Sequence, residues 1–107
     1  MKPIIQLRLF VCGQDLAALR AIESLKAVCD DRTVRCRYRI DLEIIDIHES
    51  PELADEEQVF ATPTLLKMQP PPARRLVGDL SSRKDILSIM DMESPSGTES
   101  GAGEGNA

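Results

Sequence analysis

The segment Ala61-Thr62-Pro63-Thr64-Leu65 decides how the chain is read. A proline between two threonines, directly before an apolar run, marks a sharp turn into a strand, and its X-Pro bond is a candidate for the cis isomer. Upstream, Ser50-Pro51-Glu52 places a capping residue, a proline suited to the first helical position and an acid in the first turn, so a short helix is expected through about Val59. Downstream, residues 64–68 and 73–77 read as two strands. Gln69-Pro70-Pro71-Pro72 must be their connection, because proline cannot donate to a ladder.

Nearer the N-terminus, Ile5, Leu7, Leu9 and Val11 alternate with Gln6, Arg8 and Phe10, the period of a strand with one strongly apolar face. Asp15 is placed to cap a helix in which Leu16, Leu19, Ile22, Leu25, Val28 and Cys29 form one apolar stripe, ending at Asp30, Asp31 and Arg32. Residues 40–47 are β-rich and supply a second strand. Beyond Gly78, Ser82 and Asp85 resemble a capping box before a last helix ending near Met92. The order βαβαββα is that of the thioredoxin fold, an α/β class with a mixed sheet. That fold carries a cis proline just before its third strand, where Pro63 falls. The domain is expected over 1–92. From Glu93 onward the Gly, Ser, Thr, Pro, Glu, Asn and Ala composition cannot offset its ordering entropy, so a disordered tail is expected over 93–107.

A chain of 107 residues with such a tail has room for one domain. Its net charge of -5, three units of which lie on the tail's Glu93, Glu99 and Glu104, repels polyphosphate, and aromatics for base stacking are nearly absent. Nucleic acid is a poor partner. Arg8 interrupts the first apolar stretch before signal-peptide length, and no run suits a membrane helix, so no membrane association and a cytoplasmic location are expected. Three irregularly spaced cysteines fit a reducing compartment rather than a disulfide framework.

Catalytic chemistry finds little to stand on. Cys12 lies where the first strand meets the first helix, the place for a low-pKa thiol. However, Gly13-Gln14-Asp15 follows, with no resolving cysteine and with an acid where a thiolate would want the opposite charge. That excludes a dithiol cycle and leaves a monothiol redox protein using Cys12 as the alternative to a packing role. His48 is the sole histidine and no cysteines have ligand spacing, so no metal site and no cofactor are expected. Arg32, Arg35, Arg37 and Arg39 alternate around Cys36 and Tyr38, read as the wet face of an extended segment.

Taken together, Leu7-Arg8-Leu9-Phe10-Val11-Cys12-Gly13, Ile45-Asp46-Ile47, Ser50-Pro51-Glu52-Leu53-Ala54, the Ala61 to Leu65 segment and Pro70-Pro71-Pro72-Ala73-Arg74-Arg75-Leu76-Val77-Gly78-Asp79-Leu80-Ser81 resemble the KaiB family of circadian clock proteins. The resemblance spans residues 4–92. It implies a non-enzymatic clock or stress-regulator adaptor that binds the ATPase ring of a KaiC-like protein and modulates its phosphorylation and ATPase cycle. It also implies fold switching: from about Ser50 onward the chain would exchange its helices and strands between a resting tetramer or dimer and a thioredoxin-like monomer.

By the same resemblance, Arg20, Lys67, Arg74 and Arg75 are charged partner contacts, and Gln58, Ala61 and Thr62 lie near the binding face. Pro63, Pro70, Pro71, Pro72, Ile89 and Asp91 are the cis-proline or fold-switch candidates. Further partners implied are KaiA and a clock histidine kinase. Against KaiA stands Glu43, where cyanobacterial members carry a lysine, together with a longer and more basic stretch over 31–39. Cys12 replaces an alanine of those members, and Ile89 replaces a glycine.

Overall fold

The computed structural model describes residues 2–78 and 80–90. Its first strand, β1 (Ile4–Val11), buries Ile5, Leu7, Leu9 and Val11 on one face, as the alternation requires, and turns Gln6, Arg8 and Phe10 to the other. Helix α1 (Leu16–Asp30) starts where the Asp15 carboxylate accepts the Ala18 N–H at 2.7 Å, a cap that contributes about 1 kcal/mol. The stripe it buries is Ala18, Ala21, Leu25 and Val28, with Ile22 and Cys29 at the margin. Leu16 and Leu19, expected in that stripe, are exposed instead, Leu16 by 62%. At about 100° per residue Leu16 falls opposite the buried line, which Ala18 and Ala21 share with Leu25 and Val28 in the main core.

Residues 32–37 correct a second expectation: they are not extended but form a short helix, α2 (Arg32–Arg37). Asp31 is the cause. It closes α1, and its carboxylate accepts the Thr33 N–H at 2.8 Å to start the next turn. Val34, 1% exposed, then anchors that turn in the main core while the arginines face outward. The Arg83 guanidinium lies 2.5 Å from the other Asp31 oxygen and ties the last helix to this corner.

Strand β2 (Arg39–Asp46) runs parallel to β1, pairing Ile4 with Arg39 through Val11 with Asp46. Helix α3 (Pro51–Glu56) has its proline at the start but no side-chain cap from Ser50. It stops short of Val59 because Gln58 takes a left-handed φ of 57°. Strands β3 (Thr64–Gln69) and β4 (Arg74–Val77) form the hairpin, β3 antiparallel to β1 and β4 antiparallel to β3. Cis peptides precede Pro63, Pro70 and Pro72. In α4 (Arg83–Ile89) the Ser82 hydroxyl accepts the Asp85 N–H at 3.2 Å. The expected end near Met92, Asp91 and the tail over 93–107 lie outside the described residues.

The sheet order is β2-β1-β3-β4. One face carries the main core, in which Ile5, Leu7, Leu9 and Leu65 meet α1, Val34 of α2, and Ile86 and Ile89 of α4. On the other, the short α3 covers a smaller cluster of Phe10, Ile45, Ala54 and Leu66. Full burial of a Leu or Ile side chain contributes about 1.5–3 kcal/mol, so the helix-covered face dominates stability. Among the described residues no helix is long and apolar enough to cross a membrane.

Candidate partner-binding surface

The registers gather several turns at one end of the sheet. Val11 pairs with Asp46, Phe10 with Thr64, and Thr64 with Val77. The carboxyl ends of β1 and β2, the start of α1, the segment 57–63 and Gly78 therefore share that end. Cys12, Ala61, Thr62 and Pro63 all belong to it.

Segment 57–63 is held at both margins. Gln58 N–H donates to Asp55 O at 3.1 Å and Val59 N–H to Ala54 O at 2.8 Å, closing α3. Arg75, reaching across from β4, donates to Glu57 O at 2.6 Å and Gln58 O at 3.0 Å, so a cation meets the negative end of a helix. On the far side the Thr64 hydroxyl donates to Ala61 O at 2.6 Å and Gly78 N–H to Pro63 O at 3.1 Å. Pro63 itself is buried and cis. Between these clamps stands Phe60, 89% exposed. An exposed aromatic side chain on a segment held at both margins is suited to anchor a protein interface.

Of the residues singled out from sequence, Gln58, Ala61 and Thr62 flank Phe60, Ala61 exposed and Thr62 half-buried. Arg20 is exposed on α1 and Arg74 on β4 at the opposite, hairpin end with the exposed Pro70, Pro71 and Pro72, so these are not one cluster. Arg75 is exposed, but its guanidinium already serves the end of α3. Lys67 departs from the role of a surface charge: it is 1% exposed, in register with Leu7 and Arg74 on an inner strand of the sheet. Ile89 is a core residue of α4.

Sequence reasoning missed Phe60, although it is one of only two phenylalanines and stands directly before the Ala61-Thr62-Pro63 turn. It also missed the partners of Arg8. That guanidinium lies 3.4 Å from Glu43 and 3.7 Å from Glu57. Glu43 is the cross-strand neighbour of Arg8, so the two complete a local charge pair. Among the described residues, no group of three His, Cys, Asp or Glu side chains could hold a metal.

Comparison with known proteins agrees with this architecture. The N-terminal domain of Synechococcus elongatus SasA superposes with a TM-score of 0.68 at 22% identity, covering 87% of this chain and 88% of that one. The Drosophila germline thioredoxin Deadhead gives 0.61 at 15% identity, covering 81% and 78%. The fold is thus thioredoxin-like. In sequence, the chain is 40% identical over 95 residues to the circadian clock oscillator protein KaiB of Prochlorococcus marinus strain MIT 9211, covering 87% of this chain and 81% of that one. It is 38% identical over 86 residues to the Rippkaea orientalis KaiB, covering 80% of each. A family model described as the KaiB domain matches residues 8–92. By the family model and these relatives, the chain belongs to the KaiB family.

Proposed function

We propose that this protein is a non-enzymatic clock or stress-regulator adaptor. Its KaiB-like domain, residues 1–92, docks on the ATPase ring of a KaiC-like protein and modulates that partner's phosphorylation and ATPase cycle. The observation that carries the reading is Phe60, exposed on a segment pinned by Arg75 and by the Thr64 hydroxyl. Ala61 and Thr62 extend that surface, and Arg20 adds charge on the helix that begins at the same end. The cytoplasm is the expected compartment, with competition against a KaiB-like kinase domain as one output. Glu43 on the second strand, paired with Arg8, stands where the family resemblance implies a lysine in cyanobacterial members, which speaks against capture of KaiA.

The resting state is proposed to be an oligomer, dimer or tetramer, in which residues from about Ser50 onward adopt another arrangement. Size-exclusion chromatography with light scattering, on the full chain alone and after long incubation with a KaiC homologue and ATP, tests both parts. A ring-sized complex appearing slowly from a resting oligomer is the expected result. Immediate binding by a monomer would remove the exchange of folds. Equal capture of a folded Phe60→Ser variant would remove this surface from the interface.

A further inference from the structure

At the carboxyl ends of β1 and β2, three side chains form an arrangement that the adaptor role leaves unused. Cys12 Sγ lies 3.5 Å from Nε2 of His48, the chain's sole histidine. On the other side of the ring, His48 Nδ1 lies 3.6 Å from Asp46 Oδ1. Asp46 is itself fixed, since the same oxygen accepts the backbone N–H of His48 at 2.9 Å and of Gly13 at 3.2 Å. These bonds hold its carboxyl below the usual carboxylate range, the His48 N–H contributing most among the lowering causes. Gly13 takes a φ of 66°, the left-handed region that favours glycine. A nucleophile, a base within reach and an acid that orients the base are the parts of an activated thiol.

The surroundings say which thiol chemistry fits. Cys12 is half-buried and His48 67% exposed, so a small reagent reaches the sulfur from solvent. No second thiol shares the site. Cys29 sits on α1 with its pKa pushed up to about 11 by burial and then by Asp30. Cys36 lies on α2, which leads into Arg39 at the other end of the sheet. An adduct on Cys12 therefore has no internal thiol to displace it and persists until an external thiol arrives.

We infer that Cys12, with His48 as base and Asp46 as positioning residue, is a site of reversible S-thiolation by small disulfides of the glutathione type. The Cys12 proton passes to His48 Nε2, and the thiolate attacks one sulfur of the incoming disulfide. That S–S bond breaks as the Cys12–S bond forms, and the departing thiolate takes the proton from the imidazolium. Cys12 is oxidised to the mixed disulfide, the incoming disulfide is the oxidant, and one small thiol is released. The adduct would stand at the sheet end that carries Phe60, Ala61 and Thr62. Its effect on partner docking rests on the proposed function; the chemistry does not.

The test is the rate of adduct formation by the full chain with glutathione disulfide at neutral pH, followed by intact and peptide mass spectrometry. The exposed Cys36 serves as internal reference. Cys12 should gain one glutathionyl group faster than Cys36 by about tenfold or more, and His48→Gln should remove most of that advantage. Asp46→Asn should reduce it in part, and Cys12→Ser should abolish the fast adduct while Cys36→Ser preserves it. Equal rates at Cys12 and Cys36, or an unchanged Cys12 rate in a folded His48→Gln variant, would overturn the assignment. An adduct that forms as expected but leaves partner capture intact would count against the docking surface alone.

Discussion

Replacing Arg75 by alanine separates two roles that a charged side chain on an edge strand could have. The guanidinium donates to the Glu57 and Gln58 carbonyls at 2.6 and 3.0 Å, so its removal frees the end of α3 and one margin of the Phe60 segment. Hydrogen bonds to a charged group contribute about 1.5–3 kcal/mol each when shielded. Water competes here because Arg75 is exposed, which brings the pair to about 1 kcal/mol together. That is roughly a fivefold change in a local opening constant. The reporters are the Gln58 and Val59 amides, which bond to Asp55 O and Ala54 O. Native-state hydrogen exchange followed by NMR should show both accelerated about fivefold in Arg75→Ala, with the β1 amides unchanged. Arg74→Ala, altering the neighbour whose side chain leaves the other face of β4, should leave them alone. Unchanged exchange at Gln58 and Val59 in Arg75→Ala, or equal acceleration in Arg74→Ala, would refute the clamp.

Two further predictions concern α2 and its junction. Val34→Ala removes two methyl groups from a side chain 1% exposed in the main core, and should cost about 1.5–2.5 kcal/mol in urea unfolding; a loss below about 0.5 kcal/mol would make α2 an appendage rather than part of the core. Asp31 has its carboxyl held below its ordinary 3.8, first by the Arg83 hydrogen bond and then by the Thr33 N–H. Its folded form therefore binds protons less readily than the unfolded chain, so its stabilisation is present above about pH 4 and fades as pH falls through the folded value. Asp31→Asn should melt below the parent at pH 7 and converge with it on acidification, and a gap constant from pH 7 to pH 3 would contradict this.

Much of the framework was legible because local chemistry and tertiary packing agree there. Asp15 and Ser82 cap where the sequence puts them, β1 alternates as it must, and Pro63 turns the chain into β3. The failures share a cause. Whether Leu16 or Ala18 faces the sheet depends on how closely α1 approaches it, which periodicity does not encode when apolar residues occur on both sides. The arginines of 32–39 fit a strand's alternation as well as a helix's exterior, and only Val34 entering the core decides between them. Lys67 reads as a surface charge until β1 and β4 flank it on an inner strand, where it is buried. At the candidate surface, Gln58, Ala61 and Thr62 are named through the family resemblance, and the turn chemistry of Thr62-Pro63 points only to a sharp bend there. The Cys12–His48 contact joins residues 36 apart in the chain and needed the parallel register of β1 and β2.

The central place of β1 in the order β2-β1-β3-β4 has a cost for any rearrangement of the second half. One flank of β1 is zipped to β2 from the first half, and the other to β3 from the second. Releasing β3 would leave the β2-β1 ribbon with a raw margin of unpaired amides and carbonyls beside Ile5, Leu7 and Leu9, a template that any other extended chain could join. The proposed resting state would have to mask that margin, with its own refolded segment or with another subunit. In the proposed exchange, the hazard would be set by how long the seam stands open, and less by the stability of either end state.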